Sequence, residues 1–312
     1  MGRFVPGSIF VASLALFVVS WTVARGGSSD ALHISQVAPT PRAVSTPPIG
    51  HLAEPSLTAE RVVFGTEGSY KVALTFDDGP HVVHTARLLR ILQRHQVTAT
   101  FFVNGFWLDP KRDRDGVARK LLLRMHQSGH AIGNHTLNHA NLSTLTPEEQ
   151  TWEIVGNDLL ISQIIGQRTK LFRAPYGKMT AHVAQLLSAY DYVHARWSAT
   201  TEEEQRDPHE IGNALMDWIR KHRGGIVLLH DRLPQSVSGV ALFLAELDRL
   251  NCSRFSSQLP TFRLVSIESF SRSPSHSATR AALSTAEEVA HRRRLQRVCS
   301  TLALRHEQAG NR

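Results

Sequence analysis

The chain has 312 residues, of which 42% are hydrophobic and only two are cysteines. This apolar fraction excludes a disordered or collagen-like chain, and two cysteines exclude a disulfide-dense scaffold. The formal charge of +8 at pH 7 is concentrated at the two ends, since residues 1–25 carry +2 and residues 271–312 carry eight arginines against three glutamates. The 245 residues between them carry only +1 and contain no nucleic-acid motif, so nucleic-acid binding is not expected.

The first 25 residues have the pattern of a targeting segment. Arg3 precedes an apolar run from Ile9 to Ala24, and the end of that run is similar to a small-residue cleavage site. The run is shorter than the ~20 residues of a spanning helix, which favours a cleaved signal peptide over a signal anchor. Residues 26–67 are rich in Gly, Ser, Thr and Pro and predict a disordered tether. We therefore expect an exported protein that is periplasmic, membrane-anchored or extracellular.

From Tyr70 onward, short β-branched or aromatic runs alternate with longer helical patterns. The seven runs predict strands over residues 72–76, 98–103, 130–134, 171–174, 192–197, 226–230 and 262–265. The helical patterns between them cover residues 85–95, 119–127, 147–165, 181–189, 208–222 and 239–250. A repeated β, α, β order predicts parallel strands with crossover helices, and hence an α/β barrel or a doubly wound sheet.

Ionisable residues follow several of these predicted strands at the point where each strand ends. They are Asp77, Asp78, His135, His139, Arg173 and His230. Each alone has a simpler explanation: Asp-Asp-Gly-Pro favours a turn, the His-x-x-x-His pair can be exposed, Arg173 can form a surface salt bridge, and His230 can be a core histidine. Because functional groups of α/β barrels gather at the carboxyl ends of the strands, their joint placement favours one site.

These residue types support one kind of chemistry. Two imidazoles and one carboxylate leave open positions on a divalent ion, as in catalytic sites, and such donors suit zinc, with cobalt or nickel as alternatives. The ion would polarise a carbonyl and lower the pKa of its bound water, the nucleophile, toward ~7. A second carboxylate can act as general base, a histidine as general acid, and an arginine can hold the base ionised. The pattern predicts metal-assisted hydrolysis of an amide or ester.

Four separated motifs resemble those of the polysaccharide deacetylase family, also called the NodB-homology domain or carbohydrate esterase family 4. They are Thr75-Phe76-Asp77-Asp78-Gly79-Pro80, His135-Thr136-Leu137-Asn138-His139, Arg173-Ala174-Pro175-Tyr176-Gly177 and Leu228-Leu229-His230-Asp231. The resemblance covers about residues 68–270 and leaves a basic tail at residues 271–312. It implies an α/β fold, a distorted (β/α) barrel with about seven parallel strands.

The resemblance also implies a role for each matching residue. The implied catalytic residues are Asp77 as general base, Arg173 as its positioning partner and His230 as general acid. The implied metal ligands are Asp78, His135 and His139. The implied substrate-binding residues are Pro175, Tyr176, Trp197 and Leu228.

Two of these implied roles concern the acetyl group itself. The backbone N–H of Tyr176 would help to stabilise the tetrahedral oxyanion, while Trp197 and Leu228 would line a small pocket for the acetyl methyl. The reaction implied is removal of an N-acetyl group from an amino sugar of an envelope or extracellular polysaccharide. Peptidoglycan, chitin-like polymers and poly-N-acetylglucosamine all carry that group, and the motifs do not choose among them.

The fourth family motif is altered in this chain. The family usually has an Asp that pairs with the general-acid histidine, whereas Thr200 stands in its place here. Without a carboxylate partner the pKa of His230 should be lower, unless Glu202 or Glu203 reaches across the loop. This change leaves a catalytically weak glycan-binding homologue as the alternative function. A metalloprotease is a weaker alternative, because the histidine pair lacks the internal Glu of His-Glu-x-x-His.

The C-terminal tail predicts a basic helix over residues 281–307. It can pack on the domain as a solvated helix, or it can contact an anionic surface such as acidic lipid headgroups or a wall polymer. Export would permit a disulfide between Cys252 and Cys299, but the sequence leaves their pairing open. We expect a monomer whose partner is its polysaccharide substrate.

Overall fold

The computed structural model describes residues 62–270 and 277–310 of the chain. Within these ranges one sheet contains the strands β1 (Val62–Val63), β2 (Lys71–Asp77), β3 (Thr100–Val103), β4 (Ala131–Asn134), β5 (Leu171–Phe172), β6 (Val193–Ala195), β7 (Ala199–Thr200), β8 (Gly225–His230) and β9 (Arg263–Leu264). Their order is β1-β6-β5-β4-β3-β2-β8-β7, with β9 paired beside β2. Every pairing is parallel, so the strands share one carboxyl edge.

Helices connect the strands as the alternating pattern predicts. They are α1 (His84–His95), α2 (Val117–Gln127), α3 (Pro147–Thr151), α4 (Asn157–Ile165), α5 (Ala181–Ala189), α6 (Pro208–His222), α7 (Pro234–Ser256) and α8 (Ser277–Gly310). A π-helical turn, Trp152–Gly156, joins α3 to α4. Capping boxes at Thr146 and Asp207, each followed by proline, begin α3 and α6 where the sequence predicts a helix start.

The structure confirms the distorted (β/α) barrel of parallel strands. Each of the seven predicted strands overlaps an observed one, and β1 and β7 add two residues each at the two ends of the order. The described strands form a half-barrel, with β1 and β7 at the two ends of the order. The sequence pattern does not predict these two short strands.

The N-terminal boundary of the domain differs from the expected one. Val62 and Val63 lie within the predicted tether, 26–67, but they pair with His194 and Ala195 of β6, and Val63 is buried. The last residues of that segment therefore belong to the sheet. The predicted signal segment, 1–25, and residues 26–61 lie outside the described residues. Among the described helices, none is both long enough and apolar enough to span a bilayer.

The sheet separates two apolar clusters. Phe101 packs with Leu88, Leu92 and Phe243 on the side of the helices, whereas the next residue, Phe102, belongs to the cluster inside the half-barrel. Successive strand residues point to opposite faces, so one strand supplies both layers. This burial fixes the strands rigidly and holds their polar carboxyl ends at one edge.

The predicted basic tail forms helix α8, which is held on the domain. Cys252 of α7 and Cys299 of α8 form a disulfide, which settles the pairing that the sequence leaves open. Arg294 is buried and donates to an Asp248 carboxylate oxygen at 2.5 Å, and Leu295 is buried beside it. Part of the tail is thus packed on the domain, and contact with an anionic surface stays a prediction.

Replacing both cysteines by serine is expected to lower the free energy of unfolding by about 2–4 kcal/mol. The disulfide closes a loop with a sequence separation of 47, and such a closure restricts the unfolded chain. Denaturant titration of the oxidised protein and the double serine variant measures the difference. Adding reductant to the wild type should remove this difference in stability. Equal denaturation midpoints of the two proteins before reduction would contradict the prediction.

Candidate active site

Two adjacent carboxylates lie at the end of β2. Asp77 is the last residue of the strand, and Asp78 has a left-handed φ of 72°. Side chains alternate along a strand, but this turn breaks the alternation, so both carboxylates face the same imidazole. His135 Nε2 lies 3.7 Å from Asp77 Oδ2 and 3.5 Å from Asp78 Oδ1.

Arg173 follows β5 and is completely buried. Its Nη1 donates to Asp77 Oδ1 at 2.7 Å and to Thr75 Oγ1 at 2.8 Å, while Nε donates to the Ala195 carbonyl at 3.2 Å. Its guanidinium also stacks 4.1 Å from the centre of the Phe102 ring. Burial lowers the pKa of Arg173, and the Asp77 charge opposes that change. Each charge of the Arg173–Asp77 pair therefore has an opposite charge beside it, and Arg173 fixes the orientation of Asp77.

The two predicted metal-binding histidines lie on a loop after β4. Their His-x-x-x-His spacing lies on left-handed turns and not on a helix, because Thr136 and His139 have φ values of 68° and 56°. The left-handed turns still bring the rings of His135 and His139 to 5.0 Å between centroids. A β-branched residue such as threonine rarely adopts this conformation, so the loop is held by strong contacts.

Those contacts come from the π-helical turn between α3 and α4. The Glu153 carboxylate accepts from the backbone N–H and from Nδ2 of Asn138, both at 2.8 Å, and the Glu153 carbonyl accepts from the Leu137 N–H at 2.9 Å. Asn134 Nδ2 donates to the Ile154 carbonyl at 2.8 Å. Isolated π turns are frequent at functional sites, and this one orients the histidine loop.

The donor atoms of Asp78, His135 and His139 fit a divalent cation. They lie within 4.8 Å of one another, and Asp78 Oδ1 is buried without a hydrogen-bond donor among the described residues. His135 Nδ1 lies 2.7 Å from the Arg173 carbonyl, which can only accept, so Nε2 keeps its lone pair for a metal. Burial lowers the pKa of His139, which favours its neutral, ligating form.

The loop after β7 supplies a carboxylate partner to His230. Glu203 Oε2 lies 2.7 Å from His230 Nδ1, and Glu203 Oε1 accepts from the His230 backbone N–H at 3.2 Å. Glu202, which has a φ of 50°, points to solvent and pairs with Arg206 at 3.4 Å. Of the two glutamates that the sequence offers as a substitute for the Asp replaced by Thr200, Glu203 is the one that reaches His230.

This partner changes the acidity of His230. Burial opposes the charged imidazole, but the hydrogen bond and charge of Glu203, together with Asp77 and Asp78, outweigh it and raise the pKa of His230 to about 9. The exception to a lowered pKa therefore holds in this chain, because Glu203 reaches His230 across the loop. His230 is protonated at neutral pH and can donate a proton.

Two of the four predicted substrate-binding residues, Tyr176 and Trp197, have rings near the site residues. Tyr176 is 65% exposed, and its ring lies 4.9 Å from that of His139, while the preceding Pro175 is buried. The Trp197 ring centre lies 5.7 Å from the Arg173 guanidinium. Leu228 is half-buried and comes two residues before His230 on β8, so the two side chains share a face.

Two contacts to Asp78 come from residues outside the sequence motifs. Arg232 Nε donates to Asp78 Oδ2 at 2.9 Å, and Trp107 Nε1 donates to the Asp78 carbonyl at 2.6 Å. Arg232 directly follows His230-Asp231, and this position was the only sequence signal that could have indicated it. Trp107 comes from a separate 3₁₀ turn, and its contact depends on tertiary folding.

The chain is similar to a protein-family model and to several known proteins. The family model for polysaccharide deacetylase matches residues 65–195. The chain is 32% identical over 171 residues to a chitooligosaccharide deacetylase of Azorhizobium caulinodans, covering 54% of this chain and 77% of that protein. It is 31% identical over 187 residues to a peptidoglycan-N-acetylglucosamine deacetylase of Bacillus cereus, covering 57% and 82%.

Solved structures show the same fold. A peptidoglycan N-acetylglucosamine deacetylase crystallised with a benzamide ligand is 25% identical, with a TM-score of 0.56 over 67% of this chain and 91% of that one. A peptidoglycan deacetylase from Bacillus subtilis is 25% identical, with a TM-score of 0.51 over 72% and 95%. With a relative at 32% identity covered over 77% of its length, the chain belongs to the polysaccharide deacetylase family.

Proposed function

We propose that this protein is a metal-dependent N-deacetylase acting on the amino sugars of an envelope or extracellular polysaccharide. One observation carries the proposal: a three-donor cluster, Asp78, His135 and His139, lies beside a carboxylate held by a buried arginine. A protonated histidine, His230, completes the set of groups that hydrolysis of an amide needs. The relatives named above deacetylate chitooligosaccharides or peptidoglycan N-acetylglucosamine, and both names point to N-acetylated amino sugars.

Asp78, His135 and His139 would hold the cation. Two nitrogens and one oxygen suit zinc, with cobalt or nickel as alternatives, and leave positions open. When bound, a divalent cation polarises the acetamide carbonyl and makes water more acidic. His135 is ready for this role, because its Nδ1 proton is directed at the Arg173 carbonyl.

Asp77 and His230 would move the protons of the reaction. As the oxygen of water adds to the acetamide carbon, Asp77 accepts a proton, and Arg173 holds the Asp77 carboxylate in place through its Oδ1. As the carbon–nitrogen bond breaks, His230 donates a proton to the departing nitrogen, and Glu203 stabilises the protonated imidazole before that transfer. The reaction consumes water, and its products are acetate and a free amino sugar.

The residues around this centre would bind the acetyl group. Half-buried Trp197 and Leu228 offer apolar surface for the methyl, and the Tyr176 backbone, with a φ of 57°, turns at the rim beside His139. Export is supported by the apolar run in the first 25 residues and by the wall polymer named in a relative. The substrate would then be an external polysaccharide.

An acetate-release assay tests the function. Purified protein is mixed with poly-N-acetylglucosamine, chitin oligomers and peptidoglycan, in the presence of zinc, cobalt or nickel. We expect acetate from at least one substrate. Binding of glycan without acetate release would instead support the alternative, a catalytically weak homologue favoured by Thr200 in the fourth motif.

Removing the cation is expected to abolish acetate release. Chelator-treated protein should regain activity when zinc is added back, whereas Asp78→Asn should regain much less, because a neutral amide replaces the negatively charged carboxylate that faces both histidines. Exposed Asp217, which pairs with Arg220 at 3.4 Å, offers a matched control as Asp217→Asn. Full activity of chelated protein would contradict a metal-dependent mechanism.

A further inference from the structure

Arg232 forms a bridge between a predicted metal ligand and a surface glutamate. Its Nε donates to Asp78 Oδ2 at 2.9 Å, and its Nη2 donates to Glu204 Oε1 at 2.9 Å. The bridge joins the same two chain segments as the pair of His230 and Glu203, since Arg232 lies two residues after His230 and Glu204 one residue after Glu203. Two adjacent ion pairs therefore tie the segment after β8 to the turn after β7.

The two oxygens of Asp78 have different neighbours. Oδ2 is taken by Arg232, whereas Oδ1 lies 3.2 Å from His139 Nε2 and 3.5 Å from His135 Nε2. Oδ1 accepts no hydrogen bond from any described residue. A carboxylate with one oxygen held by a charged donor presents the other oxygen alone, in a fixed direction.

We propose that Arg232 is a positioning residue that orients Asp78 to offer Oδ1 as a single-oxygen ligand, and that Glu204 in turn orients Arg232. The proposal rests on the proposed metal site. Groups that hold a ligand from behind commonly change metal affinity by 10–100-fold when they are removed. Glu204 is 69% exposed, so its hold on Arg232 is weaker than the hold of Arg232 on Asp78, which is 13% exposed.

The expected effect of removing Arg232 on cation binding depends on whether Arg232 orients Asp78 or acts only through its charge. If the guanidinium acted only as a nearby positive charge, removing it would relieve repulsion and tighten cation binding. If it acts by orienting Asp78, removing it frees the carboxylate to rotate and weakens binding. Arg232→Met is therefore expected to weaken zinc binding by about 10-fold or more, and Glu204→Gln by less.

The positioning role is tested by the zinc affinity of the full chain, which competition with a chromophoric chelator measures. This test does not need an activity assay. Arg232→Lys keeps the charge but loses the fork that spans Asp78 and Glu204, and we expect weakened binding here too. Arg206→Met is the matched control, because Arg206 pairs with exposed Glu202 on the same segment. The visible spectrum of the cobalt-loaded protein should change in Arg232→Met, since a freed carboxylate can bind through both oxygens.

Unchanged or tighter zinc binding by folded Arg232→Met would overturn the positioning role, and so would an equal loss in Arg206→Met. Asp78→Asn separates this failure from failure of the proposed function. If Asp78→Asn loses zinc while Arg232→Met keeps it, only the positioning role is wrong. If wild-type protein and Asp78→Asn bind zinc equally, the metal site itself is wrong, and the proposed function fails with it.

Discussion

Replacing Asp77 by Asn is expected to lower kcat for acetate release by about 10²–10⁴-fold, the usual contribution of a general base. Asp77 Oδ1 accepts a hydrogen bond from Arg173 Nη1 at 2.7 Å, and the amide oxygen of Asn can still accept it. The amide cannot accept a proton from water at neutral pH. The shape of the site is thus kept while the base is lost, and the kcat of the variant at saturating oligosaccharide measures the loss.

Controls for Asp77→Asn must cover folding and metal binding. The substitution leaves the Arg173 charge buried without its counter-charge, so the free energy of unfolding should fall by up to about 3–5 kcal/mol. Denaturant titration shows whether the variant is folded at the assay temperature. Zinc affinity should fall less than in Asp78→Asn. A folded, zinc-binding variant with kcat within about tenfold of wild type would exclude Asp77 as the base.

Replacing Glu203 by Gln is expected to move the alkaline decline of kcat/KM to lower pH by about 1–3 pH units. A general acid works only while protonated, so the rate falls as pH rises through the pKa of His230. Glu203, with Asp77 and Asp78, raises that pKa to about 9 against the opposing effect of burial. Without the Glu203 charge the pKa of His230 falls toward the ordinary value of 6.5. The variant should therefore lose activity at pH 8, below the pKa of His230 in the wild type.

Glu202→Gln is the matched control for this experiment. Glu202 is the preceding residue and carries the same charge, but it is exposed and pairs with Arg206. Its pH profile should coincide with that of the wild type. Gln at position 203 can still accept from the backbone N–H of His230, so the loop should keep its shape. Coincident profiles for Glu203→Gln and wild type would show that Glu203 does not support the acid.

Local patterns predict much of this fold, because they reflect local physics. The capping boxes at Thr146 and Asp207 begin helices where predicted, since an N-cap side chain bonds within its own first turn. The strands of the half-barrel appear as β-branched and aromatic runs because they are buried on both faces. Helix α7 begins earlier and ends later than residues 239–250; a proline begins it, and Ser236 and Val237 of its first turn are buried outside the predicted apolar pattern.

The sequence by itself determined that polar residues end the parallel strands, and parallel pairing alone brings such ends to one edge. It therefore indicated Asp77, Asp78, Arg173 and His230 together. Only the tertiary structure decided which side chains touch. The left-handed φ at Glu202 sends that residue outward while Glu203 reaches His230, and Arg232 reaches Asp78 across 154 positions of the chain. Such contacts depend on backbone turns and loop packing, which leave no periodic trace in the sequence.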